Sequence, residues 1–115
     1  MTLYMVEWTV RDLAASAVWY ATVIGLSVKL TDDANGFILL EGGAGRLSLK
    51  RGDPRPGGVR LHFEVTDLDR EIARLEASGV RPASPAKGSV EGYRRAVYLD
   101  PDGYEIGLFE WVTGV

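Results

Sequence analysis

The stretch that decides the fold is Val65-Thr66-Asp67-Leu68, where a strand-like segment gives way to a helix. Aspartate is a favoured helix N-cap, because its carboxylate accepts a hydrogen bond from the free N–H groups of the first turn. Apolar residues at helical spacing and a terminating glycine follow the cap: Leu68, Ile72, Leu75 and Gly79. This pattern predicts an amphipathic helix over about residues 68–78.

The same pattern occurs once more, nearer the N-terminus. Val10-Arg11-Asp12-Leu13 again leads from a strand-like segment into an apolar stripe with helical spacing. The stripe and its terminating glycine are Leu13, Ala17, Tyr20, Ile24 and Gly25. The repeat predicts a second helix, over about residues 13–23, and indicates that the chain contains two copies of one module.

Strand-like segments surround each predicted helix. They cover residues 3–10, 26–31, 37–41 and 46–50 in the first copy, and 59–65, 80–83, 93–99 and 104–111 in the second. Residues 86–92 are expected to form a loop, and the Gly- and Pro-rich residues 52–58 a linker. The prediction is a single α+β domain, residues 1–115, with β-α-β-β-β modules at 1–51 and 59–115.

Composition excludes several classes of function. The chain of 115 residues has no cysteine, so it has no disulfide, zinc–thiolate site or thiol nucleophile. Its net charge of −3 and lack of a Lys/Arg cluster argue against a nucleic-acid partner. It shows neither a basic signal-peptide start nor an apolar run of about 20 residues that would span a membrane. We therefore expect a cytoplasmic protein with no membrane partner.

Two strands have faces of opposite character. In residues 3–10, Val6, Trp8 and Val10 alternate with Glu7 and Thr9. In residues 59–65, the apolar set Val59, Leu61, Phe63 and Val65 alternates with Arg60, His62 and Glu64. We expect the apolar faces, Trp8 included, to pack under the helices. Because burying unpaired charged groups costs several kcal/mol, the polar faces are either solvated surface or the lining of a binding pocket.

The motifs together resemble the vicinal-oxygen-chelate superfamily, also called the glyoxalase / bleomycin-resistance / dioxygenase family. The resemblance rests on three stretches in the family's order: Val10 to Tyr20 with Ile24-Gly25-Leu26; Phe63 to Asp69 with Gly79-Val80; and Leu99-Asp100-Pro101-Asp102-Gly103-Tyr104-Glu105-Ile106. It implies paired β-α-β-β-β modules that form a cup-shaped mixed sheet around a ligand. It also implies a homodimer, as is common among the family's antibiotic-sequestering members.

The same resemblance implies where metal ligands would lie in a metal-dependent member. These positions hold Met5, Ser48, Arg60 and Gly107 in this chain. A divalent cation is normally bound by imidazole and carboxylate groups, so this set does not predict the family's metal site. The departure argues against glyoxalase, extradiol dioxygenase and epimerase chemistry, and we expect no cofactor and no catalytic residue.

Some alternatives stay open for the polar residues. His62, the only histidine, either binds a ligand or acts as a general acid or base, or else it is a polar residue bonded to a neighbour such as Glu64. Arg60 either binds an anionic ligand or neutralises Glu7 or Glu64. Glu7, His62 and Glu105 could instead hold a metal displaced from the usual position. Phe109 and Trp111 either cap the cup or form a dimer contact.

The sequence thus favours a metal-free protein that binds a small organic molecule, for example by sequestering an antibiotic or another organic ligand. The expected ligand-binding residues are Glu7, Thr9, Ser48, Arg60, His62 and Glu105. The alternative is a divalent-metal-dependent lyase, isomerase or dioxygenase that uses the displaced set Glu7, His62 and Glu105.

Overall fold

Both predicted helices begin at the expected aspartates. In the computed structural model, which describes residues 1–112, the Asp12 carboxylate accepts a hydrogen bond of 3.0 Å from Ala15 N. The Asp67 carboxylate accepts one of 3.1 Å from Arg70 N. Each cap has extended backbone geometry and leads directly into its helix, so the order β-α-β-β-β occurs twice, as predicted.

The first unit, Met1–Arg55, consists of four strands and one helical segment. Its elements are β1 (Val6–Val10), α1 (Leu13–Trp19), a π-helical turn (Tyr20–Ile24), β2 (Ser27–Asp32), β3 (Phe37–Gly42) and β4 (Gly45–Arg51). The strand order in the sheet is β1-β4-β3-β2, with β1 parallel to β4 and the other pairs antiparallel.

The second unit, Pro56–Val115, repeats this topology. Its elements are β5 (Arg60–Glu64), α2 (Leu68–Ala77), β6 (Ser84–Gly88), β7 (Tyr93–Leu99) and β8 (Glu105–Trp111). The strand order is β5-β8-β7-β6, with β5 parallel to β8 and the other pairs antiparallel. The boundary between the units falls within residues 52–58. Within residues 1–112, no helix has the length and apolar character needed to cross a bilayer.

The first helical segment ends differently from the prediction. The sequence predicted one α-helix over residues 13–23. In the structure the α-helix ends at Trp19, and Tyr20–Ile24 form a wider π-helical turn. Gly25 follows with a φ of +87°, and the N–H groups of Gly25 and Leu26 both donate to the carbonyl of Tyr20 at 3.0 Å. Glycine adopts this left-handed conformation without steric cost, which explains why the segment stops at Gly25.

The prediction for residues 80–92 was wrong in two places. Residues 80–83 do not form a strand, and part of the expected loop, residues 86–92, belongs to β6. Pro85 lies inside β6, which is an edge strand whose pairing with β7 is irregular between Ser84 and Lys87. Proline is compatible with an edge strand or a bulge because no ladder hydrogen bond is required of its nitrogen.

Each helix packs on the apolar face of its own sheet. In the first unit Trp8, Val10 and Leu49 are buried, which confirms the prediction that Trp8 is a core residue. In the second unit Leu68 and Leu75 of α2 are buried together with Ala96, Tyr98, Ile106 and Leu108 of the sheet. The alternating strands therefore turn their other faces away from the helices, and those faces carry the polar residues.

Candidate functional site

The candidate site lies on the face of the second sheet that points away from α2. We call this surface the binding face and define it by Arg60, His62, Tyr93, Arg95, Glu105, Gly107, Phe109 and Trp111. The register pairs Arg60 with Glu105 and His62 with Gly107 along β5 and β8. It also pairs Arg95 with Phe109 and Tyr93 with Trp111 along β7 and β8. Cross-strand partners share a face, so all eight residues lie on one side of the sheet.

Arg60 and Glu105 form an ion pair at one end of the binding face. Both Nε and Nη2 of Arg60 contact the same oxygen of Glu105, at 2.8 Å and 2.6 Å. The sequence left Arg60 open between an anionic ligand and a carboxylate such as Glu64, and the partner found in the second unit is Glu105. The parallel register of β5 and β8 places Glu105 directly opposite Arg60, whereas Glu64 lies farther along the same strand. The positive charge of Arg60 is therefore neutralised within the site.

His62 contacts Arg95, a neighbour that the sequence did not suggest. Nη1 of Arg95 lies 3.0 Å from Nε2 of His62. A guanidinium has donors only, so Nε2 must be the acceptor, and the imidazole is then neutral with its proton on Nδ1. The two residues come from β5 and β7, which flank β8 on either side. The pair therefore spans the central strand of the binding face.

Gly107 makes this contact across β8 possible. A Cβ atom at residue 107 would lie 2.7 Å from Cδ2 of His62 and 3.2 Å from Cδ of Arg95. The first distance is shorter than a carbon–carbon van der Waals contact of about 3.5–4.0 Å. Only a residue without a side chain leaves room for the His62–Arg95 pair in its present position.

The electrostatic environment of His62 favours the neutral imidazole. Partial burial lowers the pKa of His62, and the positive charges of Arg95 and Arg60 lower that pKa further. Each cause acts against the charged form, either through loss of hydration or through like-charge repulsion. The direction of the pKa shift agrees with the neutral imidazole that the hydrogen bond from Arg95 requires.

Aromatic rings form a cluster next to the His62–Arg95 pair. The ring of Phe109 lies 6.0 Å from that of Tyr93, 5.4 Å from that of Trp111 and 6.1 Å from that of His62, measured between centroids. All of these contacts are edge-to-face, with interplanar angles between 73° and 87°. Trp111 remains 41% exposed. The cluster thus presents apolar ring surface to solvent instead of closing into a core.

These residues line an open pocket of about 230 Å³, whose walls are His62, Tyr93, Arg95, Phe109 and Trp111. A larger groove of about 640 Å³ adjoins it along β6 and β7 and includes Arg60, Lys87 and Val97. Tyr93 and Arg95 line both spaces. The binding face thus has an aromatic end and a basic end that meet at Arg95.

The expected site residues of the first unit have partners within that unit. Ser48 donates a hydrogen bond of 3.0 Å to the Glu7 carboxylate, and the register pairs these two residues on neighbouring strands. Thr9 donates to the carbonyl of Asp53 at 2.5 Å. Ser48 is buried, at 2% exposed. The structure therefore brings Glu7 and Ser48 together and directs Thr9 to the chain that follows β4.

The residues present do not fit the family's metal. Met5, Ser48, Arg60 and Gly107 offer neither an imidazole nor a carboxylate, and Arg60 adds a positive charge. In the displaced set, Glu7 accepts from Ser48, His62 accepts from Arg95, and Glu105 is bound by Arg60. Among residues 1–112 there is no group of three or more His, Asp or Glu that could hold a metal ion.

Sequence reasoning missed the importance of Tyr93 and Arg95, and left Phe109 and Trp111 undecided between a cap and a dimer contact. Residues 93–99 and 104–111 show the same alternation that identified the polar faces of β1 and β5, and this alternation was the available signal. Alternation places Tyr93, Arg95 and Val97 on one face, but it does not say which face. The register with β8 resolves this, because it pairs Arg95 with Phe109.

Comparisons with known proteins support the family resemblance. The family model for a glyoxalase-like domain matches residues 5–109. A glyoxalase/bleomycin resistance protein/dioxygenase from Nocardioides has a similar structure, with a TM-score of 0.80 and 22% identity over 100% of this chain and 87% of that chain. No curated protein is significantly similar to the chain in sequence.

Two further solved structures share the fold at similarly low identity. Lactoylglutathione lyase from Agrobacterium tumefaciens has a TM-score of 0.78 and 21% identity, covering 95% of this chain and 92% of that one. TioX from Micromonospora sp. ML1 has a TM-score of 0.74 and 21% identity, covering 99% of each chain. At these identities the similarity shows the fold alone.

Proposed function

Because the chain belongs to the glyoxalase-like domain family of the vicinal-oxygen-chelate superfamily, we propose that it binds a small organic molecule without a metal. The proposed binding site is the pocket at the aromatic end of the binding face. Pockets of this kind combine apolar and aromatic walls with a few polar groups that orient the ligand. Of the predicted site residues, His62 lies in this pocket, and Arg60 and Glu105 lie farther along the same face.

One observation carries the proposal. The position that the family resemblance assigns to a carboxylate ligand is Gly107, and the space above it is filled by the hydrogen-bonded pair of His62 and Arg95. A guanidinium at this point repels a divalent cation, because like charges in a partly buried site repel strongly. The same guanidinium and the neighbouring rings favour an organic ligand.

The proposal is tested on protein purified without chelators. Elemental analysis measures bound metal, and thermal-shift assays compare divalent cations with a panel of small aromatic compounds. We expect no stoichiometric metal and no increase in Tm with cations. At least one organic compound raises Tm equally with and without EDTA, and this increase is lost in Trp111→Ala. Asn35→Ala, in the β2–β3 turn of the first unit, serves as the control variant.

A stoichiometric metal that is lost on His62→Ala would overturn the proposal and favour the metal-dependent alternative, a lyase, isomerase or dioxygenase. Failure of every compound in the panel to raise Tm would also count against it. So would an increase in Tm that Trp111→Ala leaves intact, because the ligand would then lie elsewhere. The homodimer, the cytoplasmic location, a sequestered antibiotic and ligand contacts by Glu7, Thr9 and Ser48 stay predictions.

A further inference from the structure

We infer that the ligand is a flat aromatic molecule with a negatively charged substituent, such as an aromatic carboxylate. Its ring would lie against Tyr93, Phe109 and Trp111, and its anionic group would bind Arg95. The inference rests on the proposed function and adds the chemical class of the ligand. It is argued from the charges and rings of the binding face.

The exposed rings of the pocket favour an aromatic ligand. Tyr93 and Phe109 are partly exposed and Trp111 is exposed, so the three rings, which contact one another edge to face, keep ring surface open to solvent. Trp111 is 41% exposed although it is among the largest apolar residues of the chain. A planar ring that stacks on these surfaces removes them from water, and aromatic contacts add about 0.5–1.5 kcal/mol beyond area burial.

The charged residues of the binding face favour an anionic ligand. Arg60 is neutralised by Glu105, and His62 is neutral because it accepts from Arg95. Within residues 56–112 of the second unit, Arg95 and Lys87 have no carboxylate within ion-pair distance. The adjoining register pair Lys87 and Arg95 therefore leaves two positive charges for a ligand in a chain whose net charge is −3.

Arg94, the neighbour of Arg95 in sequence, shows that the lack of a carboxylate partner is specific to the binding face. Arg94 points to the opposite side of β7, where its guanidinium binds Asp69 of α2 at 3.1 Å and Glu110 of β8 at 3.0 Å. Arg94 thus has two carboxylate partners. Arg95 has a neutral imidazole on one side and the ring of Tyr93, 5.8 Å away, on the other.

The position of Arg95 connects the two requirements. It lines both the aromatic pocket and the basic groove, so an anion bound to Arg95 is adjacent to the rings. The hydrogen bond to His62 uses Nη1 and leaves the other guanidinium donors for a carboxylate. Arginine binds carboxylates with paired, charge-assisted hydrogen bonds, which gives both affinity and orientation.

Three matched probes separate these requirements. They are 2-naphthoate, the uncharged 2-naphthamide and the saturated decahydro-2-naphthoate, each titrated by calorimetry into the wild-type chain, Arg95→Gln and the control Arg94→Gln. We expect 2-naphthoate to bind the wild type about tenfold or more tightly than either analogue. Arg95→Gln should abolish the preference for the carboxylate, and Arg94→Gln should keep it.

The outcomes distinguish this inference from the proposed function. If 2-naphthamide binds as well as 2-naphthoate, the anionic class is wrong while small-molecule binding stands. If the saturated acid binds as well as 2-naphthoate, the aromatic class is wrong. If no probe binds but another small aromatic compound raises Tm in the wild type and not in Trp111→Ala, the inference fails and the proposed function stands. Arg95→Lys, which keeps the charge but not the forked donors, should bind 2-naphthoate with intermediate affinity.

Discussion

Arg95 donates a hydrogen bond to His62 across the central strand of the second sheet, with Nη1 and Nε2 3.0 Å apart. The two residues belong to β7 and β5, and the strand between them contributes Gly107 at the point where they meet. The His62 ring and the Arg95 side chain thus lie against the position where the family resemblance expects a metal ligand. This relationship determines the charge, the protonation state and the ligand preference of the binding face.

The protonation state of His62 gives the first prediction. Because partial burial and the charges of Arg95 and Arg60 lower the pKa of His62, we expect its imidazole to titrate below the ordinary value. His62 is the only histidine in the chain, so its ring resonances in an NMR titration are unambiguous. Arg95→Gln should raise the pKa, because it removes a positive charge. A pKa at or above the ordinary value in the wild type would contradict the proposed pair.

The same pKa makes stability depend on pH. The unfolded chain binds a proton on His62 more readily than the folded chain, so this residue favours folding fully above its unfolded pKa. That contribution decreases as the pH falls through the window between the unfolded pKa and the lowered folded pKa. We expect Tm to fall more for the wild type than for His62→Gln between about pH 7.5 and about pH 5. Equal decreases would mean that neither burial nor the charges of Arg95 and Arg60 lower the pKa of His62 in the folded chain.

Gly107 gives a prediction that separates binding from stability. In Gly107→Ala the added methyl group would displace the His62 ring and the Arg95 side chain, which lie 2.7 Å and 3.2 Å from its position. His62 is exposed and can rotate away, and alanine is better than glycine in a strand interior by about 0.5–1 kcal/mol. We expect Tm to change little and the affinity for 2-naphthoate to fall.

The control for Gly107→Ala is Gly45→Ala in β4 of the first unit, since a Cβ atom there would meet only the carbonyl oxygen of Gly42, at an ordinary contact distance of 3.5 Å. This variant should leave the affinity for 2-naphthoate unchanged. If Gly107→Ala also keeps the wild-type affinity, the His62–Arg95 contact is not needed for binding. If its Tm falls steeply, the pair is part of the fold, and the affinity must then be measured well below that Tm.

The helix caps were predictable because they depend on local residues. Asp12 and Asp67 accept hydrogen bonds from the third residue of their helices at 3.0 Å and 3.1 Å. We expect Asp12→Ala and Asp67→Ala each to lower the free energy of unfolding by about 1 kcal/mol in chemical denaturation. Asp33→Ala, in the β2–β3 turn, is the control. If both variants lose much less than about 1 kcal/mol of unfolding free energy, the caps do not stabilise the folded chain.

The order of elements could also be predicted, because alternation and helical spacing are local patterns. The candidate site could be predicted only in part. His62 was found since β5 alternates regularly, but Arg95 and Tyr93 depend on which face of β7 meets β8. The edge strand β6 was misplaced, because an edge tolerates the proline that its sequence contains. Register is a long-range property that a single strand's pattern does not fix.

The partners of charged residues could not be predicted for the same reason. Arg60 pairs with Glu105, which is distant in sequence and adjacent only through the parallel pairing of β5 and β8. The sequence offered Glu7 and Glu64 instead. Whether an arginine is neutralised or available for a ligand therefore depends on register, and the contrast between Arg60 and Arg95 became visible only in the structure.

The Arg60–Glu105 pair leads to opposite effects of its two single variants on anion binding. Arg60→Gln leaves the Glu105 carboxylate without its partner and should weaken 2-naphthoate binding, whereas Glu105→Gln leaves Arg60 available and should strengthen it. The double variant should bind nearly as the wild type does. Because the side chains are 34% and 42% exposed, their coupling in a double-mutant cycle of unfolding free energies should be only about 0.2–1 kcal/mol. Effects of the same sign on binding would show that the ligand's charge is not sensed on this face.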